Sequence, residues 1–166
     1  MRLLVAAVAA AAFTVGFGAP LQKLPWQTSN PASANAPMVR FLYPQQVQVR
    51  VGRPYTVEMH FRIASGLHIN SHTPLQKSLI RTELNASVPA GVKITAVQFP
   101  AGSPYAFPAL PSEKLSVYTG EIVVGMRIVS QRGNHLITGS LRYQACDMNT
   151  CFPPRNVPVA VDVVAQ

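Results

Sequence analysis

Acidic residues are scarce in this chain: 6 Asp and Glu stand against 14 Lys and Arg in 166 residues, a formal charge of +8. That excess raises a nucleic-acid reading, but basic runs are lacking too. Arg40, Arg50, Arg53, Arg62, Lys77, Arg81, Lys93, Lys114, Arg127, Arg132, Arg142 and Arg155 are scattered, and no aromatic–basic motif interleaves them. The charge describes a weakly electropositive surface, made as much by missing acids as by added bases, and nucleic acid is not the expected partner. Charged residues of both signs reach only 12%, about half the share usual in globular chains. Hydrophobic residues reach 48%, enough to bury a core, which excludes bulk disorder. Cysteine is lacking but for two residues, excluding a disulfide-dense miniprotein and a four-thiolate zinc site. A helical stripe at i, i+3, i+4, i+7 is absent as well. The length fits one domain with a tail.

What is present begins with an export pattern. Met1-Arg2 leads into an apolar run from Leu3 to Gly18, nearly all alanine from Ala6 to Ala12. A short basic start, a run too short to span comfortably and small residues before Ala19 predict a signal peptide over residues 1–18. The alternative is an uncleaved, tilted anchor. Residues 19–37 are mostly Pro, Gln, Ser, Asn and Ala with a single Trp26, a linker composition. Residues 38–166 form the expected domain, and export would place both cysteines in an oxidising compartment.

From Met38 the period is two. Val47, Val49 and Val51 alternate with polar residues, as do Tyr55, Val57, Met59, Phe61 and Ile63, then Tyr118, Ile122, Val124, Met126 and Ile128. Ile137, Leu141 and Tyr143 follow, with Tyr143 assigned to the core, and Val157, Val159, Val161 and Val163 close the series. Gly and Pro turns separate these runs. Seven or so short strands predict an all-β, immunoglobulin-like antiparallel sandwich. Between Phe99 and Leu115, Pro100, Pro104, Pro108 and Pro111 interrupt the pattern, and the segment reads as a long cap loop and not a strand. Its Tyr105 and Phe107 are suited either to covering a reactive group or to plugging the end of the sandwich.

Cys146 and Cys151 enclose Asp147-Met148-Asn149-Thr150. Two thiols flanking a tight loop between antiparallel strands can meet at disulfide distance. Closing so short a loop gains little entropically, whereas a short surface disulfide exchanges readily. Redox work, a structural clip and metal binding all remain open at this level. A blue-copper site needs a His and a Met soon after its Cys, and no His follows Cys146; no metal or cofactor is expected. Asp147 reads as a turn residue, and no acid–base residue is evident beside the thiols. His68 and His72, with Asn70, read as polar strand-end residues. Asn85-Ala86-Ser87 is a glycosylation acceptor in form only.

The run Tyr143-Gln144-Ala145-Cys146-Asp147-Met148-Asn149-Thr150-Cys151-Phe152-Pro153-Pro154 resembles the signature of the N-terminal periplasmic domain of the thiol:disulfide interchange protein DsbD. Gly66 to His72 and Ser116 to Glu121 resemble two further strands of that family, and the resemblance extends from Met38 to Val164. It implies an immunoglobulin-like fold whose cysteines cycle between dithiol and disulfide. The family domain takes electrons from a thioredoxin-like domain and hands them to periplasmic thiol-disulfide proteins, such as disulfide isomerases and cytochrome c maturation factors. By carry-over, Cys151 forms the mixed disulfide and Cys146 resolves it. Tyr143, Asp147, Phe152 and Pro153 lie near the site, and Tyr105 and Phe107 belong to the cap. The cysteines here enclose four residues where the best-known members have five. The chain ends at Gln166, without the family's membrane electron channel and C-terminal thioredoxin-like domain. A free-standing monomer served by separate partners, such a channel among them, is therefore expected. The reading from another class is a non-enzymatic sandwich that binds exported proteins, its disulfide only a clip.

Overall fold

The computed structural model describes residues 37–106 and 114–166. The expected signal peptide, the linker up to residue 36 with its Trp26, and Phe107, Pro108 and Pro111 of the cap lie outside the described residues. Among the described residues there is no helix. Twelve strands are present: β1 (Val39–Tyr43), β2 (Gln46–Val49), β3 (Tyr55–Ile63), β4 (His68–Asn70), β5 (Glu83–Ser87), β6 (Val92–Gln98), β7 (Ser103–Ala106), β8 (Lys114–Tyr118), β9 (Glu121–Ser130), β10 (Gly133–Tyr143), β11 (Ala145–Cys146) and β12 (Arg155–Ala165). They form three four-stranded sheets, in the orders β1-β3-β9-β6, β2-β12-β10-β5 and β11-β4-β8-β7. Pairing is antiparallel except for β2 along β12. The class is the all-β, immunoglobulin-like one that the alternation predicts.

The first two sheets share one core. Val57, Met59, Phe61 and Ile63 of β3 and Val124, Met126 and Ile128 of β9 are at most 2% exposed. They join Ile137 and Leu141 of β10 and Val161 and Val163 of β12 in the same buried cluster. Alternation works because each of these strands has one dry and one wet face, and burying each such side chain contributes about 1.5–3 kcal/mol.

The departures from the sequence reading are local. Tyr55 opens β3 but is 40% exposed, outside the core. Tyr118 and Ile122 belong to different strands, because Gly120 turns the chain between them at φ 65°. The strand count exceeds seven because several elements are only two to five residues long, too short to show a period. The cap is the clearest correction. Ser103–Ala106 is a strand, paired with β8 through Tyr105↔Leu115 and Pro104↔Ser116. β7 is an edge strand, which needs ladder donors on one side only, so Pro104 is accommodated.

The feature that positions the cysteines is a change of sheet. β10 ends at Tyr143 in the second sheet, and β11 begins at Ala145 in the third, with Gln144 alone between them. Without that step Cys146 would continue the β10–β12 ladder.

Candidate functional site

In the third sheet Cys146 stands opposite His68 of β4, and Ala145 opposite Ile69. The returning chain pairs Cys151 with Cys146 in an antiparallel bridge. The two are joined as a disulfide, with Cα atoms 3.9 Å apart. Asp147 organises the loop between them. Its Oδ1 accepts the amides of Asn149 at 2.7 Å and Thr150 at 2.8 Å, while its own amide donates to the Thr150 carbonyl at 2.9 Å. This is the Asx turn that the loop composition favours, so Asp147 is the turn residue expected. Those amide bonds, and secondarily the nearby His68, hold its carboxyl below the usual carboxylate range.

A polar strap fixes the far side of the pair. The Phe152 amide donates to the Ala145 carbonyl at 2.8 Å, and the Gln144 side-chain amide donates to the Phe152 carbonyl at 3.3 Å. Asn70 donates from Nδ2 to Gln144 Oε1 at 3.3 Å and to the Ile80 carbonyl at 3.0 Å. Asn70 and Gln144 thus hold the chain that carries Cys151. Sequence reasoning read Asn70 only as a polar strand-end residue and gave Gln144 no role, since a lone Asn and a lone Gln carry no such signal until the sheet brings them together.

The two sulfurs have different surroundings. Cys146 is 1% exposed, whereas Cys151 is exposed. The cause is local: Cys146 lies within a strand covered on both faces, and Cys151 opens the exposed run that continues through Pro153 and Pro154. Phe152 between them is half-buried and packs against the core. Tyr143 is a core residue, as expected, and burial pushes its phenol pKa up.

His68 is not the polar strand-end residue expected. All three residues of β4 are buried: β4 is an inner strand of the third sheet, between β11 and β8, and Ile69 joins the core cluster. The His68 ring packs against Tyr105 of the cap with centroids 4.3 Å apart. Its Nε2 is buried and finds no hydrogen-bond partner among the described residues. Burial lowers its pKa, with Asp147 opposing the shift. His72 has a structural place: Nδ1 bonds the Thr82 carbonyl at 2.9 Å, and the ring stacks on Phe99. The structure therefore brings Tyr105, His68, Cys146 and Asp147 together, while Phe107 falls outside the described residues. A groove of about 670 Å³ runs from His68 and Tyr105 past Gly66 and Leu67 to Arg62 and Glu121.

The base of the cap hairpin is tied down. The Tyr118 hydroxyl donates to the Pro100 carbonyl at 2.9 Å, and the Ser71 hydroxyl donates to that of Ser116 at 2.9 Å. Gly102 lies so close that a Cβ there would run into the Ser116 hydroxyl and lie 2.7 Å from Ser71 Cβ.

A family model described as thiol:disulfide interchange protein DsbD, N-terminal, matches residues 38–162. Among solved structures, the chain is similar to the N-terminal domain of DsbD from Neisseria meningitidis in its reduced form. Identity there is 19% over 63% of this chain and 74% of that one, with a TM-score of 0.41. It is also similar to the N-terminal periplasmic domain of ScsB from Proteus mirabilis, at 14% identity over 69% of this chain and 42% of that one, with a TM-score of 0.48. No curated protein sequence matches the chain significantly.

Proposed function

Since the chain belongs to the family of DsbD N-terminal domains, we propose that it is a periplasmic thiol-disulfide interchange module passing electrons between thioredoxin-like partners through the Cys146/Cys151 couple. The observation that carries the assignment of roles is the difference in exposure of the two sulfurs. Exchange proceeds through a mixed disulfide, so the sulfur a partner can reach forms it and the shielded one resolves it. Cys151 is then the interchange thiol and Cys146 the resolving one. Tyr105, packed on the His68 ring opposite Cys146, covers the Cys146 side of the pair and leaves Cys151 to partners. Residues 1–18 serve as the export signal and 19–37 as the linker; N-terminal sequencing of the protein recovered from the periplasm tests that boundary.

Trapping tests the roles. Cys146→Ser is expected to accumulate a covalent complex with an oxidised thioredoxin-like protein, dissolved by reductant, and Cys151→Ser is expected to form none. Equal capture by both variants, or by neither, sinks the reading and favours a protein-binding sandwich with a structural disulfide.

A further inference from the structure

We propose that His68 is the proton acceptor for Cys146 when that thiol resolves the mixed disulfide. The inference rests on the interchange reading and adds to it the group that handles the proton.

The first support is register. Cys151, Cys146 and His68 stand opposite one another on three adjacent segments. Directly opposed residues of an antiparallel pair project to the same face, with Cβ atoms about 4.5–5.5 Å apart. Burial is the second. His68 is 3% exposed and Cys146 1%, so bulk water is not at hand to take the thiol proton. The Nε2 of His68, without a hydrogen-bond partner among the described residues, is the third. Buried polar atoms nearly always have a partner, and an exception calls for a reason. A Cys146 S–H, which exists only in the dithiol form, is a donor of the right kind in the right row. The disulfide form lacks that hydrogen, and the nitrogen is left alone.

The groups facing His68 from neighbouring elements are the Tyr105 phenol of β7, the Asp147 carboxylate beyond β11 and Cys146 itself. Arg62 and Glu121 share its groove but are paired with each other at 2.6 Å. Burial, the larger influence, keeps the imidazole neutral near pH 7, the form that can accept a proton. Asp147 then stabilises the imidazolium once formed.

The step balances as follows. Cys151 has attacked a partner disulfide, and its sulfur is bonded to one partner sulfur. The Cys146 proton passes to His68 Nε2, and the thiolate attacks Cys151 Sγ. The Cys146–Cys151 bond forms, the Cys151–partner bond breaks, and the partner leaves as a thiolate. The module's dithiol is oxidised and the partner disulfide reduced; the proton returns to the leaving thiolate or to solvent.

The test uses the reduced protein and a chromogenic nitrobenzoate disulfide, which releases one aryl thiolate when Cys151 attacks and a second when Cys146 resolves. His68→Gln is expected to slow the second release about 10²-fold, the low end of general-base contributions, and to leave the first unchanged. It is also expected to abolish the inflection of the second phase as pH falls through the His68 titration. Should the glutamine variant not fold, His68→Phe keeps a ring against Tyr105 and removes the nitrogen. Equal slowing of both phases, or a second phase with its rate and inflection intact, overturns the proposal. Oxidised thioredoxin is run beside the small probe. If thioredoxin captures nothing while the nitrobenzoate disulfide shows both phases, the interchange reading fails and the His68 assignment is still decided.

Discussion

Asp147 holds the cysteine loop through two backbone amides, and it does so best while ionised. Its carboxyl pKa is depressed in the fold, so this contribution is complete above the unfolded value of 3.8 and is lost as pH falls through the lower folded value. Asp147→Ala is expected to speed amide exchange at Asn149 and Thr150 and to leave the sandwich strands unchanged, as NMR-detected exchange would show. His68 has the same sign by a different route. The folded protein keeps it neutral, so its contribution is complete above the ordinary value of 6.5 and declines as pH falls below it. Urea midpoints measured between about pH 7.5 and about pH 5 should therefore fall more steeply in the native protein than in His68→Phe. Identical slopes would show that burial does not disfavour the charged ring. At this scale the cysteines and Asp147 were legible in the sequence, because a short loop states its own turn chemistry. His68 was not. Its neighbour Cys146 is reached only through the pairing of β4 with β11, and three residues show no period from which burial could be read.

Gly102 stands at the base of the cap, immediately before β7, where a methyl group would press on the bonded Ser71 and Ser116 hydroxyls. Overpacking of about 1–2 kcal/mol would multiply the undocked population of the hairpin by about 5- to 30-fold. Gly102→Ala is accordingly expected to speed alkylation of Cys146 in the reduced protein by a similar factor, with the core strands unaffected. An unchanged rate in a folded variant would show that the cap does not govern access. Proline hid this element from the sequence reading. Four prolines between Phe99 and Leu115 argue against a ladder, and the argument fails for Pro104 because β7 lies at an edge. The long strands β3, β9, β10 and β12 were legible because each is long enough to show its alternation. The change of sheet at Gln144 left no mark in the periodicity, since apolar and polar residues keep alternating across it.

The molecule as a whole is expected to keep its fold without the disulfide. Most of the core comes from the first two sheets, whereas the bridge closes a loop of a few residues in the third, a constraint of about 2 kcal/mol at most by loop entropy. Reduction is expected to lower the melting temperature by about 5–10 °C and to keep the far-ultraviolet circular dichroism of the sandwich. Loss of cooperative unfolding on reduction would contradict this. By contrast, Phe61→Ala removes a fully buried side chain from the centre of the first sheet, and should cost about 3–5 kcal/mol in either redox state. The unequal exposure of the two sulfurs also bears on oxidative wear. A peroxide reaching the reduced pair meets Cys151, and the sulfenic acid formed there has Cys146 beside it, so the two condense to the disulfide with loss of water. The same arrangement that orders the exchange steps lets the protein return from peroxide damage to its ordinary oxidised form. Mass spectrometry after peroxide treatment should find the disulfide in the native protein, and sulfinic acid at Cys151 only when Cys146 is replaced by Ser.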